Sequence, residues 1–151
     1  MSKATVLLVE DSKIQKLANE RTLHKAGYIV LNASDGEEAL RTAHEKIPDL
    51  ILLDMLLPKL GGPEVLRALK QDPATVRIPV IVLSSLPQTN ELKVRLDGAD
   101  GYFEKSRLFT DVFGEREFVD SVEKVIREAK DRREAAAQTD SLALAAKAGK
   151  A

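Results

Sequence analysis

The sequence predicts an α/β fold in which a doubly wound, five-stranded parallel sheet is wrapped by five helices. Three observations point there: short apolar runs rich in aliphatic and β-branched residues, amphipathic segments alternating with those runs, and turn or cap residues at the junctions. A strand-helix-strand alternation belongs to parallel strands joined by crossovers, since antiparallel neighbours need only tight turns.

Thr5-Val6-Leu7-Leu8-Val9 is apolar on both faces, as a central parallel strand should be. Ser12 suits the N-cap of the next helix, Ile14, Leu17 and Ala18 read as its buried face, and Ala26-Gly27 supplies the stop. Tyr28 to Ala33 reads as the second strand, closed by Ser34-Asp35-Gly36. Glu37 to Lys46 then carries Ala39, Leu40 and Ala43 at helical spacing until Pro48 breaks it. Leu50-Ile51-Leu52-Leu53 is the third strand and delivers Asp54, a carboxylate directly after four aliphatic residues. Beyond the loop from Met55 to Gly62 a helix opens at Pro63, where a missing N–H costs no intrahelical bond, and Val65, Leu66 and Leu69 form its buried face. Val80-Ile81-Val82-Leu83 is the fourth strand and ends on Ser84 and Ser85. Thr89 or Asn90 caps a short helix through Leu96, which Gly98 terminates. Gly101-Tyr102-Phe103 is a short fifth strand ending at Lys105, and Phe118, Val119, Val122, Val125 and Ile126 mark the fifth helix. Residues 1–129 are expected to form one domain. Residues 130–151, with Leu142 and Leu144 as the sizeable apolar side chains, read as a helix extension and an Ala-rich tail, expected to be mobile.

The 151 residues suffice for one core, burying roughly 70% of the surface that the unfolded chain exposes. With no Cys there is no disulfide framework, thiolate zinc site or Cys nucleophile. Balanced charges, 23 Lys and Arg against 24 Asp and Glu, lack the cation excess that neutralises nucleic-acid phosphates, so no nucleic-acid partner is expected. Apolar runs such as Val6 to Val9 fall far short of the ~20 residues that cross a bilayer, and the start Met1-Ser2-Lys3-Ala4-Thr5 is unlike a secretory signal. A cytoplasmic protein without membrane contact is the expectation.

Right-handed crossovers confine five βα units to few topologies. One common strand order, 2-1-3-4-5, is carried over from proteins already known to have it and not obtained from these residues. In such sheets ligands bind beyond the carboxyl ends of the strands, and here those ends carry Glu10-Asp11, Asp54, Ser84 and Lys105. Converging carboxylates repel by about 4 kcal/mol per pair at ~4 Å when the effective dielectric is near 20. A cation relieves that repulsion, and an all-oxygen site with few protein ligands suits Mg²⁺. Asp54 is then a candidate nucleophile toward phosphorus, with Lys105 neutralising charge on the phosphoryl oxygens and Ser84 donating to one of them. Taken singly, Asp54 reads equally as a loop carboxylate or helix cap, and Lys105 and Ser84 as ordinary loop residues. His24 and His44 lack metal-ligand spacing and read as surface residues.

The ordered set Leu8-Val9-Glu10-Asp11-Ser12, Ala33-Ser34-Asp35-Gly36-Glu37-Glu38-Ala39-Leu40 and Pro48-Asp49-Leu50-Ile51-Leu52-Leu53-Asp54 continues with Pro58, Gly61-Gly62, Ile78-Pro79-Val80-Ile81-Val82-Leu83-Ser84 and Gly98-Ala99-Asp100-Gly101-Tyr102-Phe103-Glu104-Lys105. With it, the chain from about residue 4 to 129 resembles the receiver domain of bacterial two-component response regulators, a flavodoxin-like and CheY-like architecture. The resemblance implies that Asp54 accepts a phosphoryl group from a histidine kinase or a histidine phosphotransfer protein. It implies Mg²⁺ held by Glu10, Asp11, Asp54 and the backbone carbonyl of Met55. Ser84 and Tyr102 would be switch residues that alter the surface of the fourth helix, fifth strand and fifth helix, which a downstream protein target reads. A phosphorylation-linked homodimer belongs to the same expectation. The domain would be a self-phosphorylating signalling unit with at most slow autophosphatase activity, not a conventional enzyme.

Four departures stand out. Ser106 follows the lysine where the family usually has a proline after a cis peptide. Ser106 to Glu117 reads as a longer link than usual, its Phe109 and Phe113 either forming a partner-facing lobe or covering the core. Leu56 and Leu86 occupy positions that often help place the hydrolytic water, and leucine cannot hydrogen-bond it, so a long-lived phosphoryl signal is expected. Glu10 where Asp is common is a mild variation. The rival reading is a phosphorylation-independent protein-interaction module of the same fold. A phosphatase of the haloacid-dehalogenase type fits worse, because it requires a second acid where Leu56 stands.

Overall fold

Alternating side chains on the central strands divide the interior into two layers. Leu7, Val9, Ile51, Leu53, Val80 and Val82 face one way; Val6, Leu8, Leu50, Leu52, Ile81 and Leu83 face the other. A computed structural model of the chain describes residues 4–85, 91–108 and 112–148. Its elements run β1 Thr5–Val9, α1 Lys13–Lys25, β2 Ile29–Ala33, α2 Gly36–Lys46, β3 Leu50–Asp54 and α3 Gly62–Gln71. They continue with β4 Val80–Ser84, α4 Glu91–Leu96, β5 Gly101–Glu104, a 3-10 turn Lys105–Leu108 and α5 Val112–Ala148.

The sheet is parallel throughout, in the order β2-β1-β3-β4-β5. The expected fold class and strand order are both present. Ala39, Ala43, Val65, Leu66 and Leu69 of α2 and α3 cover one face; Leu23 of α1 and Phe118, Val122 and Val125 of α5 cover the other. Phe118 meets Phe103 edge to face at 5.4 Å between ring centroids. β1, β3 and β4 are buried almost end to end, whereas β2 at the sheet edge leaves Ile29 exposed.

The N-cap read from the sequence for α1 is in place: Ser12 Oγ accepts the Gln15 N–H. In α2 the structure makes Asp35, read only as part of the turn closing β2, the cap: it accepts the Glu38 N–H at 2.8 Å while the Glu38 carboxylate accepts the Ser34 N–H at 3.0 Å. The face expected for α1 is wrong: Ile14 is 80% and Leu17 65% exposed, and Asn19 and Leu23 are the buried pair. At about 100° per residue, Ile14, Leu17 and Arg21 lie across the helix from Leu23, so that apolar stripe is the outer one. The link before α5 is also shorter than expected, because residues 112–117 already belong to the helix, and Phe113 is exposed. Phe109, Leu86 and the expected caps Thr89 and Asn90 lie outside the described residues. The Lys105-Ser106 peptide is trans. Beyond residue 129, the segment read as an extension and tail is one helix as far as Ala148, exposed along its course.

Candidate functional site

Strand register brings the functional candidates to one end of the sheet. Val9 pairs with Ala33 and Leu53, Asp54 with Leu83, and Ser84 with Glu104, so Glu10, Asp54, Ser84 and Lys105 all emerge at neighbouring carboxyl ends. All four are buried, while Asp11 is exposed at the rim. One carboxylate oxygen from each of Glu10, Asp11 and Asp54 lies within 4.8 Å of the others, the one such acid or histidine group among the described residues.

Lys105 bridges two of these acids. Its Nζ donates to Glu10 Oε2 at 2.5 Å, to Asp54 Oδ2 at 2.7 Å and to Gln15 Oε1 at 2.7 Å, which uses all three ammonium hydrogens. Three carboxylates against one ammonium leave a formal charge of −2, summed over Glu10, Asp11, Asp54 and Lys105. An all-oxygen donor set with two uncompensated negative charges fits a divalent, hard cation. The Glu10 carboxyl is pushed above the ordinary carboxylate range chiefly by burial; the Lys105 hydrogen bond works against that shift and the Asp54 charge adds to it.

The backbone completes the geometry. Asp54 Oδ1 accepts the Leu56 N–H at 3.1 Å, and Glu10 Oε1 accepts the Ser12 N–H at 3.2 Å. The Met55 carbonyl accepts the Gly62 N–H at 3.3 Å and retains a second lone pair. Gly62 has to be glycine, because a Cβ there would lie 2.5 Å from Met55 Cα and 2.7 Å from the Asp54 carbonyl oxygen, both backbone atoms. Tyr102 is not part of the cluster. It lies half-buried on β5, beside a hollow lined also by Arg95 and Lys124 between α4 and α5.

Gln15 is the site residue that sequence reasoning missed. Ser12-x-x-Gln15 has the capping-box spacing, in which the Gln side chain would turn back to the cap N–H. Here Glu10 already accepts the Ser12 N–H, so the Gln15 carboxamide is free to take Lys105. The spacing signals the box; nothing in it signals this alternative partner.

A doubly wound sheet in this order, with three acids and a lysine at its carboxyl end, defines a class before it defines a protein. The chain belongs to the response regulator receiver domain family, whose profile matches residues 6–112. Receiver domains are signalling domains of two-component systems. It is 46% identical over 112 residues to the gliding motility regulatory protein of Myxococcus xanthus, covering 73% of this chain and 14% of that one. It is 34% identical over 102 residues to the polar-differentiation response regulator DivK of Brucella anthropi, covering 67% and 83%. The receiver domain of a Pseudomonas aeruginosa sensor histidine kinase, solved with a magnesium ion coordinated in its active site cleft, matches with a TM-score of 0.72 at 27% identity, covering 83% and 98%. The chain spans 14%, 40% and 41% of the length of three of the curated relatives it matches. Among the described residues no helix is long and apolar enough to cross a membrane.

Proposed function

We propose that this domain accepts a phosphoryl group on Asp54 from a phosphohistidine of a histidine kinase or histidine phosphotransfer protein, and thereby switches a protein-binding surface. The observation that carries this reading is the buried Asp54 carboxylate, 2.7 Å from the Lys105 ammonium and grouped within 4.8 Å with Glu10 and Asp11. An Asp54 oxygen attacks phosphorus, the new O–P bond forms as the P–N bond breaks, and the departing imidazole takes up a proton. Lys105 neutralises charge on the phosphoryl oxygens, and the buried Ser84 hydroxyl, one strand away, donates to one of them.

Glu10, Asp11, Asp54 and the Met55 carbonyl would hold Mg²⁺, which when bound shields the carboxylates from the incoming phosphoryl charge. Phosphorylation adds about −1.5 to −2 charges at neutral pH, and Ser84 with Tyr102 on the adjoining strands carries that change to the surface of α4, β5 and α5. A downstream protein, or a second copy of the domain, would read that surface. Self-dephosphorylation would be slow, because Leu56 presents an exposed aliphatic side chain beside the acceptor. A cytoplasmic setting, where kinase and target meet, goes with this reading.

The test is intact-protein mass after incubation with acetyl phosphate and Mg²⁺, followed by a phosphorylated kinase or phosphotransfer protein, beside Asp54→Ala. A phosphoryl adduct in the parent and none in Asp54→Ala is expected. No adduct from either donor would overturn the proposal in favour of a phosphorylation-independent interaction module.

A further inference from the structure

At the amino end of the sheet, opposite the acid cluster, lies a pocket of about 290 Å³ between the end of α3, the segment leading into β4 and the middle of α5. Four cations line it: Lys70, Arg77, Arg132 and Arg133. The one carboxylate among its lining residues is Asp100, so the lining carries a formal charge of +3 on a chain whose total is −1. Asp100 holds Lys70 at 3.4 Å and Arg132 at 3.5 Å, and Lys70 is further fixed by the Ile78 carbonyl at 2.9 Å. Among the described residues no carboxylate pairs with Arg77 or Arg133.

We propose that this pocket binds a small organic phosphate. Planar guanidinium forks match phosphate oxygens two at a time, and an excess of three positive charges favours a dianion over a single carboxylate. Val76, Ala129 and Ala136 add an apolar wall that seats an organic group beside the phosphate. The volume lies just below the range of about 300–1,000 Å³ that holds drug-sized ligands, which suits a smaller ligand of phenyl phosphate size. Arg132 and Arg133 reach the pocket because α5 continues as a helix past Ala129, the last α5 residue buried in the core.

The test is calorimetric titration of the full chain with phenyl phosphate and with inorganic phosphate, in EDTA so that the acid cluster recruits no metal. Binding at one site is expected, tighter for phenyl phosphate. Arg132→Gln/Arg133→Gln should weaken it by about tenfold or more, since hydrogen bonds to charged groups are the strong ones. Arg127→Gln/Lys130→Gln, equal in charge removed but outside the pocket, should leave it nearly unchanged. Absence of binding by the parent, equal losses in the two double variants, or equal affinity for the two phosphates would each overturn the proposal.

Discussion

Replacing Lys105 with Met keeps the apolar stem of the side chain and removes the ammonium that lies 2.5 Å from Glu10 and 2.7 Å from Asp54. Each contact corresponds to about 6 kcal/mol of bare Coulomb attraction at an effective dielectric near 20. Hydration of the separated ions offsets much of this, and removing one partner of a buried pair costs about 3–5 kcal/mol in practice. A domain of ordinary stability, about 5–15 kcal/mol, survives that loss but with a clearly lower urea midpoint. The deficit should be largest in EDTA at neutral pH. Magnesium should recover part of it, because without the ammonium the acids carry one more uncompensated negative charge and the variant gains more from the bound cation than the parent does. Acid should recover more: Glu10 is already raised by burial, and without Lys105 it rises further. A carboxyl raised in the folded state favours folding below its unfolded pKa and loses that contribution as pH rises through the folded value, so the deficit opens as pH climbs out of the carboxylate range. Equal urea midpoints for parent and variant in EDTA at neutral pH would refute the reasoning.

Gly62→Ala forces a methyl group onto the Asp54-Met55 backbone; a loss of about 1–3 kcal/mol or more is expected by urea unfolding, with weaker Mg²⁺ binding by calorimetry as the Met55 carbonyl shifts. The Asp35 carboxyl is held below the usual range chiefly by the Glu38 N–H, with Lys59 assisting. Its capping contribution is therefore present above the unfolded pKa and lost as pH falls through the depressed folded value, and Asp35→Asn, still a cap, should flatten the acid side of the stability profile measured by urea midpoints. Leu56→Asn should shorten the lifetime of the phosphorylated state. A positioned acid or base contributes about 10²–10⁴-fold, and an amide that only orients water contributes less, so about tenfold is expected in the decay of the phosphoryl mass adduct.

The parts of the fold legible in the sequence are those where one physical demand acts alone. β1, β3 and β4 are buried on both faces, so their residues are apolar without interruption, and the polar residue ending each run marks the edge of the sheet. That is why Glu10, Asp54 and Ser84 stand out in the sequence as strand-end polar residues; Lys105 follows β5, which is not buried on both faces, and carries no such signal of its own. α1 was harder, because it buries Asn19 and exposes Ile14 and Leu17, and polarity there misreports burial. Gln15 was hidden for another reason: its role depends on which of two acceptors takes the Ser12 N–H, a competition decided in three dimensions. The length of α5 was understated because charged, alanine-rich sequence is equally good as helix and as solvated tail.

The continuation of α5 past Ala129 gives the domain a lever. From Ala129 to Ala148 the helix advances about 28 Å at 1.5 Å per residue, so a tilt of roughly 10° at its base carries the far end through about 5 Å. A displacement of that size at the far end is one that a pair of spectroscopic labels can measure, so the rod would report any reorientation of α5 on the core around Phe118 and Val122.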